Sequence, residues 1–220
     1  MRKIFIDLEM HPVDKEFREE SSCSKYETIE IGAVVLGENG EITDRFKEYV
    51  KPVYSKEVRK KFENLTGITT AMLADADIFQ NAFARFVDWC GDQDYEIYSW
   101  SVNDLNQIKN EMKQKGMECT VEIDYMISHW IDFQDEFQKM LNFSRSPALD
   151  KALNAIGIQF QGRAHDGLTD AENTAKLYYE VKVSDKVHET LEIIRKAMTP
   201  QTGATLGELF NLSGLNIGAS

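Results

Sequence analysis

The sequence predicts an α/β domain in which a mixed sheet of five strands is flanked by helices. Three observations predict it. Three β-rich runs near the N-terminus follow one another with short polar connections, the pattern of an antiparallel meander. Two alternations of strand and helix come next, and the rest of the chain is helical, so helices must cover the sheet. The composition agrees: 42% of the 220 residues are hydrophobic, 28% are charged and only 4 are proline, enough apolar side chain for one sizeable core.

Residues 3–9 form a short apolar run ending in acids, and 26–36 (YETIEIGAVVL) is rich in β-branched residues; both predict strands. The GENG stretch at 37–40 turns the chain, and 41–50 supplies the third strand before Pro52. Helical spacing marks 56–65 and 78–90, the second with Phe79, Phe83, Phe86 and Val87 along one stripe. The fourth strand is 95–100. Residues 103–115 place Leu105, Ile108 and Met112 at helical intervals and stop at Gly116, and 120–124 completes the five strands. Helices are predicted over 125–141, 147–156, 170–181 and 185–197, the third opened by Thr169 as N-cap. The organisation is one domain over 1–198 and a tail over 199–220. The tail is Gly and Thr rich yet contains Leu206, Leu209, Phe210, Leu212 and Leu215, so it either frays or docks on this chain, on a second copy as a homodimer, or on a partner protein.

Charge narrows the function classes. Lys and Arg number 25 against 37 Asp and Glu, a net charge of −12, which excludes the broad basic footprint of a protein that wraps duplex DNA. Any nucleic-acid contact must be local. Cys23, Cys90 and Cys119 stand far apart with no C-x-x-C pair, so neither a disulfide framework nor a zinc knuckle is predicted, and a reducing, cytoplasmic location fits. No apolar run approaches the roughly 18 residues of a membrane span, so neither a signal peptide nor a membrane partner is expected.

Several residues offer chemistry. Asp7 and Glu9 are two apart at the end of a strand, so both side chains emerge on one face, either to hold a cation or as solvated acids. Asp104 and Asp170 sit where helices begin, and acids there also meet the helix dipole favourably. That second reading does not account for His165, which precedes Asp170 by five positions in the Gly-flanked loop GRAHDGLTD. Asp166 beside it is expected to face solvent. Lys56, Arg59 and Lys60, and separately Lys109 and Lys113, share helical faces that serve either as cationic patches or as ordinary solvated surface. Trp100 closes a strand, positioned to stack on a base or to pack in the core.

Taken together, FIDLE at 5–9, IEIGAV at 29–34, YVKPV at 49–53, LTGIT at 65–69, SWSVNDL at 99–105 and GRAHDGLTDAENTA at 162–175 resemble, in order and spacing, the DEDDh exonuclease family. The branch that looks nearest is that of the histone-mRNA and small-RNA trimming exonucleases, with the bacterial polymerase proofreading subunit more distant. The resemblance implies a ribonuclease H-like fold in which Asp7, Glu9, Asp104 and Asp170 hold two divalent cations, Mg²⁺ or Mn²⁺. It also implies that His165 is the general base, that Leu8 to Met10 meet the terminal nucleotide, and that the partner is the 3′ end of a single-stranded RNA or DNA.

Physical chemistry supports this beside the resemblance. Four carboxylates within a few Å repel pairwise by about 4 kcal/mol at 4 Å with an effective dielectric near 20. The six pairs rival the stability of a domain, roughly 5–15 kcal/mol, so such a cluster binds cations or takes up protons. Hard oxygen ligands without thiolate favour Mg²⁺ or Mn²⁺ over zinc. Histidine, with an ordinary pKa near 6.5, suits the removal of a proton from an attacking water.

The sequence departs from the family at Met10-His11, where relatives carry a small residue and then a threonine that bonds the terminal sugar; His11 is the candidate replacement donor. The charged segment 12–25 is a candidate lid. The activity implied is 3′-to-5′ exonucleolytic release of 5′-nucleotides. Its rivals are a phosphodiesterase of very short oligonucleotides and a non-catalytic binding module on the same fold.

Overall fold

The computed structural model describes residues 1–92 and 94–198; the tail at 199–220, with its expected docking role, lies outside the described residues. The chain runs β1 (Arg2–Pro12), α1 (Arg18–Cys23), β2 (Tyr26–Leu36), β3 (Ile42–Lys51), α2 (Lys60–Thr66), α3 (Thr70–Leu73), β4 (Asp77–Ile78) and α4 (Phe79–Cys90). It continues through β5 (Tyr95–Ser99), α5 (Asn103–Gln114), α6 (Val121–Ser128), β6 (Trp130–Asp132), α7 (Phe133–Leu141), α8 (Leu149–Ala155), α9 (Gly167–Lys182) and α10 (Val187–Met198). No described helix is long and apolar enough to cross a membrane.

The six strands form one sheet in the order β4-β3-β2-β1-β5-β6. The first three strands pair antiparallel, as predicted, while β4, β5 and β6 each join in parallel. The alternation of β1 separates two cores. Ile4, Ile6 and Leu8 face α4, α5 and α6 with Ile31, Ala33 and Val35 of β2, around a cluster of Phe79, Phe83 and Phe86. Phe5 faces the other way with Val34 and Leu36, under Phe133 and Phe137 of α7 and Ala171, Ala175 and Tyr178 of α9. On that second face β1 passes from apolar Phe5 to Asp7 and Glu9, so the acids begin where the core ends.

Three predictions about elements are corrected. Residues 120–124 are not the fifth strand: Thr120 caps α6 by accepting from the Ile123 N–H, and Val121 is 78% exposed. Its short alternation of Val121 and Ile123 fits either period, and the cap decides for helix. The predicted helix 125–141 is broken by β6, which pairs with β5 and makes the sheet six-stranded together with the two-residue β4. Thr169 is not the N-cap of α9; Asp166 is, accepting from the Thr169 N–H, and the helix begins at Gly167.

Candidate active site

The site forms where the sheet splits. β1 pairs with β5 only as far as Ile6 opposite Ser99, after which the β5 chain turns into α5. The Leu8 N–H is therefore left without a strand partner on that side, and it donates to Asp104 Oδ1 at 3.1 Å. Asp104, in the first turn of α5, is buried beside β1 by that bond. On the other side of β1 the pairing with β2 slips between Glu9 and Met10, a bulge that re-aims the strand next to the acids.

Asp170 arrives on α9. Asp7 of β1, Gly32 of β2 and Lys47 of β3 lie side by side across the sheet, and the absence of a side chain at Gly32 admits the start of α9. A Cβ there would lie 2.0 Å from Leu168 N. His165 precedes the helix with φ 62°, a left-handed conformation unusual for a residue with a side chain. Its N–H donates to Asp170 Oδ2 at 3.0 Å, which locks the loop to the helix. One oxygen or nitrogen each of Glu9, His165 and Asp170 come within 4.8 Å of one another. Asp7, Glu9, Asp104, His165 and Asp170 all line one pocket of about 840 Å³, together with Leu8, Met10 and Trp100.

The acids are crowded without counter-charge. Burial pushes Asp7 well above the ordinary carboxylate range, helped by repulsion from Asp104, Asp170, Glu9 and Glu30. Glu9 is pushed up to about 8 by burial and then by Asp170 and Glu30. Burial raises Asp104 to about 7 against the stabilising Leu8 N–H, and Asp170 to about 6 against the His165 N–H. No lysine or arginine lines the pocket among the described residues. The donor set is thus hard carboxylate oxygen and one imidazole, with no lysine or arginine against it, and it fits divalent cations of the Mg²⁺ or Mn²⁺ type.

Other residues depart from what the sequence predicts. His11 lies outside the pocket: it is fully buried, its Nε2 accepts from the Arg59 N–H at 3.0 Å and its ring packs on Phe62, so it is not placed to replace the sugar-binding threonine. Asp166 is no idle surface acid, since it caps α9 and pairs with Lys47. Lys56, Arg59 and Lys60 are neutralised by Glu16, Asp14 and Glu63, so they make no free cationic patch. The segment 12–25 is pinned to α5, whose Gln114 Nε2 donates to the carbonyls of Glu20 and Ser24. Trp100 is half-buried against Phe133 and Phe137, the core placement, and its exposed part lines the pocket.

Three supporting residues escaped sequence reasoning. Glu30 stands opposite Glu9, almost wholly buried, and accepts from the Leu168 N–H at 3.3 Å. Lys47 bridges Glu30 and Asp166 and so ties the cap of α9 to the sheet. Gly32 had a legible signal, because a glycine inside a strand marks close backbone approach. At the other wall, Gln107 Nε2 donates to Tyr26 O and to Glu111, while Lys115 pairs with Glu27 at 2.9 Å, which registers α5 against β2.

The model of the RNase T exonuclease family matches residues 4–178. The chain belongs to that exonuclease family. Among its relatives, the 3′-5′ exoribonuclease 1 of Rattus norvegicus is 24% identical over 181 residues, covering 74% of this chain and 51% of the relative. The ERI1 exoribonuclease 2 of Xenopus laevis is 30% identical over 187 residues, covering 72% of this chain and 26% of the relative. This exonuclease chain therefore spans about half, or about a quarter, of the length of those relatives. The nuclease domain of 3′hExo, a DEDDh family member bound to rAMP, superposes with a TM-score of 0.69 at 23% identity, covering 82% of this chain and 90% of that one. The mixed sheet flanked by helices is thus the ribonuclease H-like fold of DEDDh nucleases.

Proposed function

We propose that this exonuclease-family chain is a metal-dependent 3′-to-5′ exonuclease that releases 5′-nucleotides from single-stranded ends, RNA above all. The observation that carries the reading is the convergence of Glu9, His165 and Asp170 within 4.8 Å in the pocket that Asp7 and Asp104 share. Both relatives are exoribonucleases by name, and the 3′hExo nuclease domain holds rAMP. A pocket of about 840 Å³ is in the usual range for a bound small molecule.

In this reading Asp7, Glu9, Asp104 and Asp170 hold two divalent cations. When bound, such ions neutralise the phosphodiester and stabilise the charge that builds on its oxygens. The chain's own residues do the rest. Leu8 and Met10 pack on the terminal nucleoside, and Trp100 closes the wall beside Asp104. His165 takes the proton from the attacking water, and its exposed loop gives the imidazole a route to return that proton to solvent. The acid crowding disfavours a purely binding role, because a binding module gains nothing from carboxylates that repel one another.

The test is hydrolysis of a 3′-labelled single-stranded oligoribonucleotide with Mg²⁺ or Mn²⁺. Stepwise 5′-nucleotide release by the wild type, with Asp7→Asn inactive, is expected. An inactive wild type, or an Asp7→Asn variant as active as the wild type, removes the reading.

A further inference from the structure

We propose that α5 carries an uncharged subsite, built from Asn103, Asn106 and Asn110 together with Tyr26, that holds the one or two nucleotides next to the 3′-terminal residue. The proposal rests on the exonuclease reading above and narrows its substrate to very short single-stranded ends.

The three asparagines lie at positions i, i+3 and i+7 of α5, which places them along one face of the helix. All three are exposed, and all three line the pocket that contains the acids. Their backbone N–H groups are used, Asn103 by the Ser101 hydroxyl and Asn106 by the Val102 carbonyl, while their side-chain amides have no partner among the described residues. Each amide offers two donors and an acceptor, suited to phosphate oxygens, ribose hydroxyls and base edges alike. Asp104 is one residue from the first of them and lines the same pocket, so the stripe begins next to the acids.

Tyr26 adds an aromatic to the same pocket. It is 42% exposed, and its carbonyl accepts from Gln107 Nε2 at 2.9 Å, which holds the start of β2 against α5. An exposed aromatic next to free amides is a stacking platform for any base.

The charge of this wall bears on how much of a strand it can hold. A protein that tracks a long single strand neutralises successive phosphates with Lys and Arg, and its affinity then falls steeply with salt. This pocket has no Lys or Arg among the described residues, the chain carries a net charge of −12, and residues 199–220 add no basic residue to the sequence. Within the pocket, phosphates beyond the metal-binding acids therefore meet the asparagine amides and no cation, with the Asp150 carboxylate on the facing wall. Lys109 and Lys113 lie on α5 outside the pocket lining, so the subsite itself holds no more than the nucleotides inside the pocket, and length past the third nucleotide is expected to add little.

Initial-rate kinetics on oligoribonucleotides of two, three, six and ten residues test this, at fixed Mn²⁺ and two salt concentrations, 50 and 200 mM. KM is expected to fall from dimer to trimer and then to level off, and the trimer KM to rise less than about fourfold between the two salts. Any larger rise, the mark of two or more phosphates neutralised by protein cations at a slope of about 0.7 each, overturns the proposal. So does a KM that keeps falling from the trimer to the ten-residue strand. Replacing all three asparagines with alanine is expected to raise the trimer KM about tenfold with kcat within about twofold; an unchanged KM overturns the subsite. The double variant Asn106→Lys/Asn110→Lys is expected to bring the salt rise to about sevenfold, and a flat response overturns it. The p-nitrophenyl ester of a 5′-mononucleotide fills the terminal site alone and separates the two readings. If neither it nor any of the oligoribonucleotides is hydrolysed, the exonuclease reading fails; if it is hydrolysed while the trimer results go the other way, only the subsite fails.

Discussion

Gly32 and Gly167 meet across the gap between the sheet and α9 so closely that neither has room for a side chain. A Cβ on Gly32 would lie 2.1 Å from the Gly167 carbonyl carbon, and one on Gly167 would lie 2.9 Å from the Asp7 carbonyl oxygen. Both contacts are to backbone, which has no rotamer through which to yield. The distance from Asp170 to Asp7 and Glu9 is thus set by two glycines that carry no chemistry of their own.

Gly32→Ala is therefore expected to push the start of α9 off the sheet. The overpacking costs about 1–3 kcal/mol or more, read by thermal or urea unfolding. Displacing Asp170 and His165 by about 1 Å is expected to lower exonuclease activity by about 10². An alanine variant with wild-type activity contradicts the account of how α9 positions the site.

His165 has two roles open to it by geometry, proton acceptor or third member of a ligand group with Glu9 and Asp170. Asparagine tolerates the left-handed backbone at this position and removes the imidazole. His165→Asn is expected to lose about 10²–10⁴ in rate while the rise in melting temperature on adding Mn²⁺ remains. Loss of that rise together with the rate would make His165 a ligand instead.

Much of this arrangement was legible in the sequence. The D-x-E spacing on β1, the H-x-x-x-x-D spacing before α9 and the acid opening α5 each survive as local geometry, because strand and helix periods fix which side chains share a face. What escaped depends on contacts between elements distant in the chain. Glu30 reads as one more residue in a β-rich run until β1 and β2 are paired, and Lys47 becomes meaningful only when α9 is laid over β3. The strand β6 was hidden inside a helical pattern, since three residues are too few to establish a period and only the edge of β5 selects them. His11 misled for the opposite reason, being next to the acids in sequence but beyond the bulge that turns it toward Phe62.

The pH response of the metal-free protein follows from the raised carboxyls. The folded state keeps protons on Asp170, Asp104 and Glu9 up to about pH 6, 7 and 8, whereas the unfolded chain releases them near 4 to 4.5. Between those limits the folded state binds more protons, so stability from these groups is complete below about pH 4 and is lost as the pH rises through 6 to 8. Chelated protein is expected to melt at progressively lower temperature from pH 5.5 to 8.5. Since ligands must be deprotonated, Mn²⁺ at about a hundred times its dissociation constant is expected to restore roughly 5–10 °C at pH 8.5 and much less at pH 5.5. A shift of equal size at both values would contradict the crowded-acid description.

Lys47 joins two acids that the rest of the site depends on. It lies 3.3 Å from Glu30, whose side chain is 1% exposed, and it pairs with Asp166, the cap of α9. Removing its charge leaves Glu30 buried beside Glu9 with only the Leu168 N–H to stabilise it. Lys47→Met keeps most of the aliphatic stem and is expected to cost about 1–3 kcal/mol, the penalty of an uncompensated buried polar group. It is also expected to lower activity by loosening the cap on which His165 and Asp170 depend. Because the cost comes from the stranded carboxylate, adding Glu30→Gln to Lys47→Met is expected to recover part of the stability while the activity stays low, since the Asp166 tie is still gone. A double variant no more stable than Lys47→Met alone would show that the lysine acts through Asp166 only.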